Sequence, residues 1–312
     1  MIISASRRTD IPALYAEWFM NRLKEGYALI PNPRNPNRIS RINFSPANID
    51  CIVFWTKNPI PMLEKLKQMD NMGYTYYMQV TITPYDQTIE PRLPLKEEIL
   101  QSFIAMSKQI GNLRSVWRYD PIIIDANHSI EWHTEQFTKM CSTLSSYTKR
   151  CILSFIDPYK NTRTKFRIMT QSEMYAIASV FSRIAKKYDL SLYTCSEEID
   201  LSQYGIAHSS CVDKSLIEKI IGCRLKTKKD ANQRPACGCI ESIDIGTYDT
   251  CTHGCTYCYA TSSEKKIARQ TMTHNPISPI LVGYLNGNEM ITESTSPSCK
   301  IKQISLLENE NY

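Results

Sequence analysis

Short β-prone runs alternate along the chain with stretches whose apolar residues return every three or four positions. The runs Met1–Ser6, Tyr27–Pro31, Cys51–Thr56, Thr75–Thr83, Ser115–Tyr119, Cys151–Ile156, Leu190–Cys195 and Ile240–Gly246 predict strands. The first helical stretch follows Asp10, a residue able to cap it, with Pro12 suited to an early helical position. Leu14, Trp18, Phe19 and Leu23 then fall near one face before Gly26 stops it. The same periodicity recurs in Met62–Met69, Ile99–Ile110, Phe137–Leu144 and Met174–Ala185. Strands alternating with helices predict an α/β fold with a mostly parallel sheet and crossover helices, a complete or partial (β/α) barrel. Pro31 to Pro36 reads as a turn between two short strands, and without repeats or low-complexity tracts one domain is the simpler organisation.

Nearly every predicted strand runs out into polar residues: Ser6 to Asp10, Thr56-Lys57-Asn58, Gln79 with Thr81 and Thr83, Arg118-Tyr119-Asp120, Asp157 with Tyr159, and Cys195 to Glu198. In parallel α/β barrels the loops after the strands meet at one mouth where ligands bind, so these groups are expected to converge there. Any one of them alone reads equally well as a solvated or locally bonded loop residue. Arg118 and Asp120 either orient a substrate or form an ion pair that braces their loop. Lys57, beside Trp55 and Asn58, and Arg7-Arg8 carry the same two readings, and several cations at one mouth suggest an anionic substrate.

A hydrophobic content of 42% with 22% charged residues suits a folded body in a chain of 312 residues. Apolar runs such as Pro121 to Ile124 are too short to span a bilayer, and the first eight residues lack a signal-peptide layout, so the expectation is a cytoplasmic protein without a membrane partner. The net charge of +6 is mild, and the densest basic stretches, Arg224 to Lys229 and Lys265-Lys266, read first as solvated surface and second as a nucleic-acid patch. The 12 cysteines change the picture most, because a disulfide framework belongs to small secreted chains and metal ligation is the better default here.

Cys251, Cys255 and Cys258 are separated by three and then two residues, with Tyr257 just before the last. Such a triplet could hold three irons of a cubane cluster while the fourth stays open to a small molecule. The competing reading is a structural zinc site completed by Cys237, Cys239 or His253, although zinc sites favour paired two-residue spacings. Upstream, Cys195, Cys211 and the Cys237-Gly-Cys239 pair supply four more thiols. They could close a second, fully ligated [4Fe-4S] cluster, bind zinc, or stay as buried free thiols. Cys51, Cys141, Cys151, Cys223 and Cys299 have no ligand-like partners in sequence and are read as structural.

The triplet with its preceding aromatic looks like the signature of the radical S-adenosylmethionine (SAM) enzymes. Ser6 to Asp10, Phe54 to Asn58, Trp117 to Pro121 and Gln233 through Ala260 are together similar to the uncharacterised bacterial domain of unknown function 1848 family, over nearly the whole chain to about Pro279. The resemblance implies a single radical SAM-like barrel over residues 1–279, with a cluster-binding segment 237–260 and a C-terminal tail 280–312. It implies a [4Fe-4S] cluster on the three thiols, SAM on the open iron, an electron donor such as flavodoxin or ferredoxin, and hydrogen abstraction from an unknown substrate. Radical SAM enzymes usually carry the triplet after the first barrel strand, so the strand Ile240 to Gly246 and its loop would be circularly permuted to the C-terminus, ahead of a helix at Ser263 to Gln270. Met1–Ser6 would then take the place of the second strand, and Asp10, Thr9 or Ser6 would lie nearest the amino group of SAM, although no Gly-Gly-Glu sequence is present. Tyr257 would lie against the adenine, and Arg118 and Asp120 could hold the carboxylate and ribose of SAM. The alternative function is a non-catalytic, zinc-stabilised protein that binds nucleic acid or another partner.

Overall fold

The computed structural model describes residues 1–157, 159, 162, 164–294 and 297–301. Numbered in chain order, β1 (Ile2–Ala5), β4 (Cys51–Thr56), β5 (Tyr76–Thr81), β6 (Ser115–Ile122), β7 (Arg150–Phe155), β8 (Ser191–Cys195), β9 (Ala207–Ser209) and β10 (Ile243–Asp244) form one eight-stranded sheet in the order β10-β1-β4-β5-β6-β7-β8-β9. Every pairing in it is parallel, which is what crossover helices between successive strands enforce. The sheet does not close on itself, since β9 and β10 stand at opposite ends, and the result is a partial α/β barrel. A second sheet joins β2 (Tyr27–Asn32), β3 (Asn35–Asn43) and β11 (Met290–Glu293).

The helices are α1 (Ile11–Leu14), α2 (Ala16–Glu25), α3 (Leu63–Asn71), α4 (Lys96–Ile110), α5 (Ile130–Leu144), α6 (Gln171–Lys187), α7 (Lys214–Ile221) and α8 (Glu264–Thr271). Alternation along the strands sorts their side chains into two cores. Ile3, Ile52, Phe54, Tyr76, Met78 and Trp117 face the helices, while Ile2, Val53, Tyr77, Val116 and Ile152 face inward. The inward face is not hollow: Leu216 and Ile217 of α7 pack into it and leave room for polar chemistry only toward the strand C-termini.

The helix expected between Asp10 and Gly26 divides at Tyr15, which has φ −134° and anchors its hydroxyl to the Thr250 carbonyl at 2.7 Å. Its ends follow the expected chemistry, Asp10 capping at Ala13 N (3.0 Å) and Gly26 closing in the left-handed region at φ 78°. The predicted turn between residues 31 and 36 does join two strands, but they belong to the second sheet, paired antiparallel. The strand expected over Ile240 to Gly246 shrinks to two residues, because Ile240 bridges to Lys229 instead of β1. The segment from residue 280 was read as a tail, yet Ile280, Leu281 and Val282 are buried and β11 pairs with β3. Trp18 Nε1 donates to the carbonyls of Ser278 and Ile280 at 2.9 and 3.1 Å, fastening this return. Among the described residues no helix is long and apolar enough to cross a membrane.

Candidate functional site

The loop that carries Cys251, Cys255 and Cys258 leaves β10 at Asp244, whose carboxylate gathers the start of the chain around it. It accepts from Ser4 Oγ and Ser6 Oγ at 2.7 Å each, from Arg7 N at 2.9 Å and from Gly246 N at 3.0 Å. Gly246 has to be glycine at this approach: a Cβ there would lie 2.0 Å from Ser6 Oγ. Further along, Gly254 takes φ +75° and turns the chain between Cys251 and Cys255. Cys255 is buried, Cys251 and Cys258 are half-buried, and none is in a disulfide. Burial pushes the Cys251 thiol well up, helped by the charges of Asp10, Cys258 and Cys255. Burial likewise pushes Cys255 up to about 12, against the pull of the Lys57 ammonium. The three thiols thus feel one another in a poorly solvated pocket.

Two carboxylates brace this loop. Asp10 caps α1 with one oxygen, and with the other accepts Lys57 N at 2.8 Å and meets His253 Nε2 at 2.9 Å. Thr9 Oγ1, next to it, is buried without a hydrogen-bond partner. Glu90, on the loop after β5, is fully buried and bound by Lys57 Nζ (2.8 Å), Thr83 Oγ1 (2.8 Å), Lys96 Nζ and the Tyr257 hydroxyl. Burial alone would raise its carboxyl, but the Lys57 and Lys96 charges outweigh that and bring it down to about 2. Tyr257 is therefore held by its hydroxyl, with Lys57 Nζ 5.2 Å from its ring centre. The backbone completes the seam, Arg92 N bonding His253 O at 3.2 Å and Thr256 N bonding Ile89 O at 3.0 Å. Neither Glu90 nor Lys96 stands out in sequence; the only signal is an acid on a strand-end loop.

A second thiol group lies on the inward face of the sheet. Cys195 Sγ and Cys211 Sγ are 2.9 Å apart, and Cys237 and Cys239 are buried in the same cluster of side chains. Arg118, 6% exposed, donates Nη1 to Cys211 Sγ at 3.0 Å and to Gln79 Oε1 at 3.3 Å, while Nη2 pairs with Asp120. Arg7 stacks on Trp55 at 5.5 Å and sits 3.6 Å from Asp230, with its Nη2 buried and unpartnered. Donation from Cys195 and Cys239 holds the Cys211 thiol well below its ordinary range, with Arg118 and Arg7 adding to the effect. Donation from Cys239 brings Cys237 down to about 6. Arg118 and Asp120 thus form the ion pair that one of the two sequence readings described, and the pair faces sulfur.

Beside Cys258, a cleft of about 460 Å³ is lined by Tyr159, Tyr248, Asp249, Tyr259, Ser262 and Lys266, among others. Glu197, after β8, accepts from Ser154 Oγ (2.7 Å) and Phe155 N (3.0 Å), and burial raises its carboxyl to about 7. Among the described residues no group of three or more His, Cys, Asp or Glu side chains is placed as a metal site. The Cys195–Cys211 separation of 2.9 Å is shorter than the ~3.8 Å edge of a tetrahedron with metal–sulfur bonds of about 2.3 Å, and a cubane spreads its ligands wider still.

A family described as Domain of unknown function (DUF1848) matches residues 2–260. No curated protein matches the chain. One solved structure to which it is similar is that of a candidate α-L-fucosidase from Bacteroides thetaiotaomicron, at 12% identity and a TM-score of 0.28. The match covers 51% of this chain and 66% of that one, just under two thirds, and is too slight to bear on chemistry.

Proposed function

The chain belongs to the DUF1848 family, a domain of unknown function, and we propose that it is a radical SAM enzyme in which Cys251, Cys255 and Cys258 hold a [4Fe-4S] cluster. The observation that carries this reading is three unpaired thiols, spaced by three and two residues, on the single loop that leaves β10. The sheet order supports a circular permutation: β10 pairs parallel with β1, Ile3 opposite Ile243, and so stands ahead of the strand that begins the chain. When bound, such a cluster supplies an electron to the sulfonium of SAM and so starts hydrogen abstraction from a substrate.

The protein's own groups do the placing. Glu90 and Asp10 fix the loop through Tyr257, Lys57 and His253, and the apolar packing of Cys255 and Tyr257 keeps water from the thiols. Asp10 is the carboxylate expected near the amino group of SAM, but both its oxygens are engaged, and the unpartnered Thr9 hydroxyl oxygen is the better acceptor for the amino N–H. Three tyrosine rings and the Asp249 carboxylate in the adjacent cleft suit the nucleoside part of the co-substrate by stacking and hydrogen bonding. Tyr257, with its hydroxyl on Glu90, acts as a brace for the loop.

The test is anaerobic purification and iron–sulfur reconstitution, followed by absorbance, iron and sulfide assays, and 5′-deoxyadenosine release from SAM with dithionite. The expected result is SAM cleavage that each of Cys251→Ser, Cys255→Ser and Cys258→Ser abolishes. Wild-type protein whose loop thiols take up zinc and no iron, and which leaves SAM intact, would overturn the reading in favour of a zinc-stabilised binding protein.

A further inference from the structure

We propose that Cys195, Cys211, Cys237 and Cys239 form a second, four-thiolate metal centre inside the partial barrel, with Arg118 and Arg7 as its cationic partners. The proposal does not depend on the loop triplet, because the two sets share no residue. The four thiols come from three separated stretches of chain, the end of β8, the turn ahead of α7 and the approach to β10, yet gather in one buried cluster in which Cys195 Sγ and Cys211 Sγ lie 2.9 Å apart. A hydrophobic core gathers thiols only as small apolar fillers, with no reason to aim guanidinium groups at them. Here Arg118, buried among the strands, points an N–H at Cys211 Sγ from 3.0 Å. The buried, unpartnered Nη2 of Arg7 supplies a further donor that lacks an acceptor. Four thiolates around a divalent ion or a cubane leave a net negative centre, which gives the unpartnered Arg7 donor an acceptor and turns the Arg118 contact with Cys211 into a charged one.

The backbone is prepared as well. Tyr77 OH and Gln79 Nε2 both bind the Cys211 carbonyl, the latter at 3.0 Å, and Val212 N donates to Cys239 Sγ at 3.3 Å. Backbone N–H to sulfur bonds of this kind tune thiolate metal centres. Opening the Cys195–Cys211 contact from 2.9 Å to the ~3.8 Å of a tetrahedral tetrathiolate asks for a shift under about 1 Å. Binding zinc exchanges thiol protons for metal–sulfur bonds with no change of oxidation state, and a [4Fe-4S]2+ cluster assembles on the same thiolates when both ferrous and ferric iron are supplied with sulfide. The centre would tie β8 and β9, at one end of the sheet, to the chain entering β10 at the other, and so latch the open barrel. An all-sulfur set suits either one zinc ion or an iron–sulfur cluster, and the experiment separates them.

The decisive protein is C251A/C255A/C258A, which removes the loop triplet, prepared anaerobically and divided between iron-plus-sulfide reconstitution and incubation with Zn²⁺. After desalting, we expect about one zinc, or about four irons with matching sulfide, per chain in one arm. Adding Cys211→Ala and Cys239→Ala should lower that content at least about tenfold. A folded triplet variant that retains neither metal, or that retains it unchanged after the two further substitutions, overturns the proposal. If the triplet variant does not fold, Co²⁺ added to the wild type gives the same answer through its thiolate charge-transfer band. That band should be lost in Cys211→Ser and kept in Cys251→Ser, and the reverse pattern would sink the second centre while leaving the triplet reading intact.

Discussion

Two carboxylates, one buried and one half-buried, pull in opposite directions with pH. Glu197 is raised to about 7 from 4.5, so the folded protein holds its proton more tightly than the unfolded chain does. Stability from this group is present below pH 4.5 and is lost as pH rises through 7, by up to about 3 kcal/mol. Glu197→Gln keeps the acceptor for Ser154 Oγ and Phe155 N and should raise the midpoint of thermal unfolding at pH 8 but not at pH 4. Glu90 is lowered to about 2, so its contribution is present above 4.5 and disappears as pH falls toward 2. Glu90→Gln would strand the Lys57 and Lys96 ammonium groups and should cost about 3–5 kcal/mol in urea unfolding at pH 7. At this scale the cysteine triplet and its Tyr257 could be picked out from the sequence, because spacing is a local property of the chain. Glu90 could not, since it depends on Lys57 and Tyr257, 33 and 167 residues away, and Lys96, six residues on, takes its role only from Glu90. The pull between Arg7 and the Cys211 and Cys239 thiols likewise exists only once the fold brings them near.

Among the elements, the weak link is β10 and the loop it feeds. Only two residues pair with β1, and the remainder of the junction is carried by Asp244 and by the close approach of Gly246 to Ser6. Gly246→Ala should therefore displace Ser6 or the loop, costing about 1–3 kcal/mol as an overpacked contact. Thermal unfolding checks the cost, and a lowered iron content after reconstitution checks the coupling to the loop. The strands of the main sheet were readable to within a few residues because buried parallel strands leave dense apolar runs. β9 is three residues long and β11 is exposed along its length, so neither leaves that mark.

At the scale of the whole molecule, the chain ends are stitched to the body through Asp50, which accepts Ser298 Oγ at 2.5 Å and Cys299 N at 2.7 Å. Asp50→Ala should free residues 297–301, raising amide exchange there at least about tenfold while leaving α4 and α5 protected. Exchange that stays unchanged would show that the backbone bridge between Lys300 and Leu225 holds the segment without Asp50. The alternation of strand and helix, the parallel sheet and the spacing of the two cysteine sets all follow from local pattern, since side-chain periodicity and ligand spacing act over a few residues. Where the barrel stays open, that β10 stands beside β1, and that Cys195 meets Cys211 and Cys239 were settled by packing in three dimensions. Those contacts join residues far apart in the chain, and their free energy comes from burial and charge pairing that exist only once the sheet has assembled.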